Sequence, residues 1–102
     1  MYRYTTPTVT LKISGIDFSE VSLFRIGFKK GKHIVLREVA ADDDMVDAAE
    51  GTIIVKLTQE ETASLEAGIF KVQVRCKMAN GDVLATEEVA KTLRDVIDEV
   101  II

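Results

Sequence analysis

Between Phe70 and Met78, apolar and polar residues alternate without a break: Phe70, Val72, Val74, Cys76 and Met78 against Lys71, Gln73, Arg75 and Lys77. A period of two puts the two sets on opposite faces of a strand, one facing a core and the other water. Aspartate at Val72 would then bury an unpaired charge and cost several kcal/mol; a variant that melts like the parent would refute this assignment. Similar β-branched alternation over Thr8–Ile13 predicts a half-buried strand that ends at Ser14-Gly15. Val21–Phe28 and Ile34–Leu36 flank Lys29-Lys30-Gly31-Lys32, so residues 21–38 read as a hairpin with a basic tip and with Leu23 and Phe24 near the core. Thr52–Leu57 is nearly all β-branched, which predicts a central strand buried on both faces.

Other segments break the strand pattern. Ala40–Glu50, centred on Asp42-Asp43-Asp44, reads as a solvated acidic loop with room for one helical turn through Met45–Ala49. Thr58-Gln59-Glu60-Glu61 fits a capping box and predicts a short helix within residues 58–67, stopped by Gly68. Asn80-Gly81 predicts a two-residue type I′ turn. That register sets Met78 opposite Val83, Cys76 opposite Ala85 and Val74 opposite Glu87. The last pairing puts a carboxylate on the apolar face, so either a β-bulge near Leu84 resets the strand or Glu87 lies at the rim; the bulge is preferred. Val89, Leu93, Val96, Ile97 and Val100 have helical spacing, so segment 90–102 is read as strand to about Thr92, then a short helix or turn. Val100-Ile101-Ile102 would be a sticky patch in water and is expected to pack on the domain or on a neighbouring chain.

The 102 residues suit a single domain, 1–102, with 47% apolar residues to fill a core. Cys76 is alone, which rules out an intrachain disulfide and gives no sign of an oxidising compartment. There is no apolar leader at the N-terminus and no run long enough to cross a bilayer, so the expectation is a soluble protein in the cytoplasm of the producing cell. The net charge of −4 conceals a division, +4 over residues 1–40 and −8 over the remainder, which suits oriented packing against neighbours.

Candidate chemistry is sparse. His33 has neither an orienting partner nor a nucleophile in the sequence around it, and reads as a surface turn residue. Cys76 sits at an inward strand position and reads as a small core hydrophobe. No CxxC, HExxH or phosphate-loop motif occurs, and Asp42, Asp43, Asp44 and Asp47 lack the spacing of an EF-hand. Lys29, Lys30, Lys32, His33 and Arg37 could touch phosphates, but a sequence pI near 5 and few aromatics argue against nucleic-acid binding. No catalytic, cofactor-binding or metal-binding residue is assigned, and no enzyme activity, cofactor, nucleic acid, membrane or small-molecule substrate is expected.

LTQEETASLEAGIFKVQVR, NGDVLATEEVAKTL and the terminal DEVII together resemble small phage and prophage proteins of Gram-positive bacteria. The shared features are the Leu-Thr-Gln-Glu-Glu-Thr turn, a glycine opening a Val-Gln-Val-Arg strand, an Asn-Gly hairpin and an apolar C-terminal end. They are similar to the N-terminal domain of baseplate upper proteins and related tail-associated Ig-like modules, and FRIGFKKGKHIVLRE fits the front hairpin of such domains more loosely. The resemblance implies a mainly β, Ig-like antiparallel sandwich of about six or seven strands. It also implies a non-enzymatic tail or baseplate protein that contacts other tail proteins or copies of itself and can become virion-associated. Baseplate upper proteins continue into further domains, so a chain of this length is expected to act as a free-standing adaptor or small accessory tail protein. A soluble binding module that engages one protein partner transiently is the alternative.

Overall fold

The alternating run is the centre of the molecule. In the computed structural model, which describes residues 1–102, it forms the longest strand, β6 (Gly68–Met78), with Phe70, Val72, Val74, Cys76 and Met78 buried. The other strands are β1 (Thr8–Lys12), β2 (Val21–Lys30), β3 (His33–Ala40), β4 (Val46–Asp47), β5 (Thr52–Lys56), β7 (Val83–Ala85) and β8 (Val89–Leu93). All strand pairings are antiparallel and form two sheets. One has the order β1-β5-β4; the other has β3-β2-β6, followed by β7 and β8 end to end along β6, β7 against Arg75–Lys77 and β8 against Gly68–Val72.

The sheets enclose a single core that includes Phe24, Ile26, Phe28, Ile53, Leu57 and Phe70. Phe28 and Phe70 come from neighbouring strands and their ring centroids lie 6.4 Å apart; Phe18 tilts against Phe24 at 5.0 Å. Tilted aromatic pairs of this kind add to the burial of their apolar area. Both hairpins follow from local chemistry. In β2–β3 a Gly31-Lys32 loop joins Lys30 to His33, and Gly31 takes φ 59° at the first loop position, where a side chain is disfavoured.

Several expectations need correcting. The strand at Thr52–Leu57 is covered on one face only: Ile53, Val55 and Leu57 are buried while Ile54 is 39% exposed, because the second sheet packs on a single side. The helical turn at 45–49 is instead β4, two residues paired with β5. The capping box is present, with Thr58 Oγ1 accepting from the Glu61 N–H and Glu61 accepting from the Thr58 N–H. The helix itself, α1 (Gln59–Ser64), ends before Gly68, which opens β6 at φ 122°.

The Asn80-Gly81 turn is one residue longer than a type I′ turn. Met78 pairs with Asp82, the Gly81 N–H donates to the Met78 carbonyl, and Gly81 has φ 95°. This is a three-residue loop with glycine in the left-handed position. Leu84 therefore faces Cys76, and Ala85 faces Arg75. A bulge at Thr86–Glu88 follows, with the Thr86 N–H donating to the Val74 carbonyl and Thr86 Oγ1 accepting from the Val74 N–H. After the bulge, Val89 faces Val72 and Lys91 faces Phe70. Beyond Leu93 the chain has no helix; it is irregular and bends at Ile97–Asp98.

Candidate interaction surface

The two long sides of this sandwich differ. On the β3 side, α1 closes the gap between the sheets. Arg37 extends from β3 and donates through Nε to Glu61 Oε2 at 2.7 Å, with a second bond from Nη2 to Oε1, and also bonds the Lys56 carbonyl. The Arg37 guanidinium holds the Glu61 carboxyl below the usual carboxylate range. At the other end of α1, Arg3 donates to the carbonyls of Ala63 and Leu65, groups that a helix end leaves without partners. The buried Thr62 hydroxyl donates to the Thr5 carbonyl. These bonds fix the N-terminal segment to the helix.

The opposite side has no such cover. Three strands face the equivalent of four, and the N-terminal segment reaches only the end of β8, where Tyr2 bridges Arg94 in parallel; no strand lies over the rest of β7 and β8. Their inward-facing residues are consequently wet: Leu84 is 44% and Val89 51% exposed. Between this strip and β1 lies a groove of about 780 Å³, floored by Val72 and Val74 and walled by Leu11, Leu84 and Val89. Lys12 and Lys91 also line it. Lys91 lies on the inward face of β8 and is half-buried.

One wall of the groove is an unpaired strand edge. Leu57 donates to Pro7 and Ile13 donates to Gly51, so odd-numbered residues of this segment turn their backbone groups toward β5. Backbone direction alternates along a strand, so the N–H and C=O groups of Thr8, Thr10 and Lys12 point away from β5. β1 is the last strand of its sheet, and these groups line an open edge. Such an edge is a template for another strand.

A second feature is the outer face of the larger sheet. The register sets Arg25 opposite Arg75 and Lys29 opposite Lys71, with Lys77 opposite Leu23. Like charges directly opposite each other destabilise a sheet. Only Glu38, 3.5 Å from Arg25, and Glu88, 4.0 Å from Lys71, offset them. Ile34 and Leu36 on β3 are exposed beside this basic face.

The residues singled out from the sequence do not come together as a site. His33 is exposed at the hairpin tip, its Nε2 3.2 Å from Glu66 Oε1. Arg37 is turned inward to Glu61, away from Lys29. Cys76 is fully buried, and burial pushes its thiol up from the ordinary value. Asp43 and Asp47 accept backbone bonds from Met45 and Glu50 within their own loop. No cluster of three or more metal-ligating side chains exists, and no helix is long and apolar enough to cross a membrane. The groove was missed in the sequence because it depends on which strands are neighbours; the misplaced register of Leu84 was its one local signal.

The chain matches no protein-family model, no curated protein and no solved structure in the comparisons made.

Proposed function

We propose that this protein is a non-enzymatic structural or assembly component of a phage or prophage tail or baseplate. It acts through contacts with other tail proteins or with copies of itself. The observation that carries the reading is the open β1 edge beside an apolar groove. That arrangement offers backbone hydrogen bonds and side-chain pockets to an extended protein segment. The resemblance of LTQEETASLEAGIFKVQVR and NGDVLATEEVAKTL to tail-associated Ig-like modules supplies the context. On this reading the protein is made in the bacterial cytoplasm and becomes virion-associated.

Mass spectrometry of purified tail particles from an induced lysogen tests the proposal. The chain is expected at a fixed stoichiometry in intact particles, and its absence at any level would sink the structural role. A transient recognition module is the second reading, favoured by the same groove because a short bound strand can also dissociate. Light scattering separates the two: a stable oligomer supports a building block, and a strict monomer supports the transient binder.

A further inference from the structure

We infer that the groove between β1 and β7–β8 receives the segment Val96–Ile102 of a second copy of this chain, which adds as a strand along the β1 edge. The inference deepens the proposed assembly role and rests on it.

The first ground is the state of the segment itself. None of its residues is buried, and Ile97 and the run Val100-Ile101-Ile102 are exposed apolar side chains. It is held to its own domain by polar contacts at the surface: Arg3 Nη1 lies 3.6 Å from Glu99, and Gln59 exchanges two hydrogen bonds with the Ile102 backbone. Exposed contacts of this kind contribute little, so releasing the segment costs little. Docking it would remove apolar surface from water on both partners.

The second ground is complementarity of pattern and charge. In an extended strand Val96, Asp98, Val100 and Ile102 share one face, three apolar positions and one acidic. The groove mirrors that pattern. Its floor and much of its walls are apolar, and the inward Lys91, with Lys12 nearby, supplies positive charge that the single carboxylate of the lining, Glu87, offsets only in part. An acidic residue at an inward strand position would be costly against a purely apolar surface and is accommodated beside a lysine. The segment is also long enough to cover the edge, since seven extended residues span about 23 Å and the five-residue edge of β1 about 17 Å.

The third ground identifies the donor as a different molecule. The segment is led away from its own groove. Arg94 bonds the backbone of Met1 and Arg3, Asp95 pairs with Arg3 at 2.9 Å, and Ile102 ends against Gln59. The segment's one bend, at Ile97–Asp98, carries it on to Gln59 of α1, which does not line the groove. Reciprocal exchange between two copies closes a dimer, and one-way donation builds a ring or a filament.

The test uses the full chain, a form ending at Asp95, and a synthetic peptide of residues 96–102. Sedimentation analysis across concentration is expected to show association of the full chain and a monomer for the shortened form, with the same thermal melt confirming that both are folded. Ile102→Asp in the full chain is the second variant and should also weaken association. Added to the shortened form, the peptide should slow hydrogen exchange at the Thr10 and Lys12 amides. Lys91→Glu should weaken peptide binding about tenfold, and an Asp98→Lys peptide should restore it.

Equal association with and without residues 96–102 would overturn the inference. So would a monomeric full chain whose β1 amides ignore the peptide, leaving the groove to a strand of a different protein. Presence in tail particles together with either result would leave the assembly reading standing and remove this one alone.

Discussion

Gly51 shows how one residue holds a strand in place. Its carbonyl accepts from the Ile13 N–H at 2.8 Å, which extends the β1–β5 pairing by one bond, and its backbone sits at φ 66°. A Cβ built there would stand 2.9 Å from the Ile13 carbonyl oxygen. Gly51→Ala is therefore expected to destabilise the protein by about 1–3 kcal/mol, the range for left-handed backbone at a non-glycine residue. Chemical denaturation would measure it, and an unchanged midpoint would show that the turn relaxes freely. Glu61 makes a pH-dependent contribution at the same scale. Its folded pKa lies below the ordinary value near 4.5, chiefly because the Arg37 side chain donates hydrogen bonds to its carboxylate. The pair's stabilisation is present above the unfolded pKa and is lost as pH falls through the lower, folded one. Glu61→Gln retains a capping side chain but loses the ion pair. Its denaturation midpoint should fall less steeply than the parent's below about pH 4.5, and parallel curves would refute the assignment.

Among the elements, β6 carries both the clearest order and the clearest conflict. Its inward residues fill the core, while its outward residues set Arg75 directly across from Arg25. Arg75→Glu exchanges a like-charge pair for an opposite one and should stabilise the sheet by about 0.2–1 kcal/mol. The gain should shrink in high salt, which screens exposed charges. A loss of stability at low salt would mean that the basic face is already balanced. The period of two on β6 was fully legible in the sequence, because a half-buried strand writes its burial directly into its side chains. The loop at Ala79–Gly81 was legible as a turn but not in its length, since Asn-Gly suits either a two-residue turn or the last two positions of a three-residue one. That single residue decided whether Leu84 or Ala85 faces inward.

Across the whole molecule, the open edge makes a prediction that needs no partner. In the isolated domain at low concentration, the Thr10 and Lys12 amides point away from β5 and should exchange with solvent far faster than those of Leu11 and Ile13. Uniform protection along β1 would show that the edge is already covered. The asymmetry behind this edge is global. α1 and the Arg37–Glu61 pair cover one side of the sandwich, and nothing equivalent covers the other. The basic outer face does not follow the charge division of the sequence: of Arg25, Lys29, Lys71, Arg75 and Lys77, three lie outside the basic N-terminal part.

By itself the sequence determined what depends on neighbours along the chain. It specified the mainly β class, the inward set Phe70, Val72, Val74, Cys76 and Met78, and the Thr58–Glu61 capping box, but not the three-residue loop that by itself moves Glu87 out of register with Val74. Tertiary structure decided everything that depends on which strands lie side by side. Ile54 became exposed because only one sheet covers β5. The helical spacing of Val89 to Val100 came to nothing, because Val89 and Leu93 were taken up by pairing with β6. The groove exists only because β1 ends one sheet where β7 and β8 continue the other. Local periodicity records whether a residue meets apolar or aqueous surroundings, whereas a missing neighbour leaves no mark on the residues beside it.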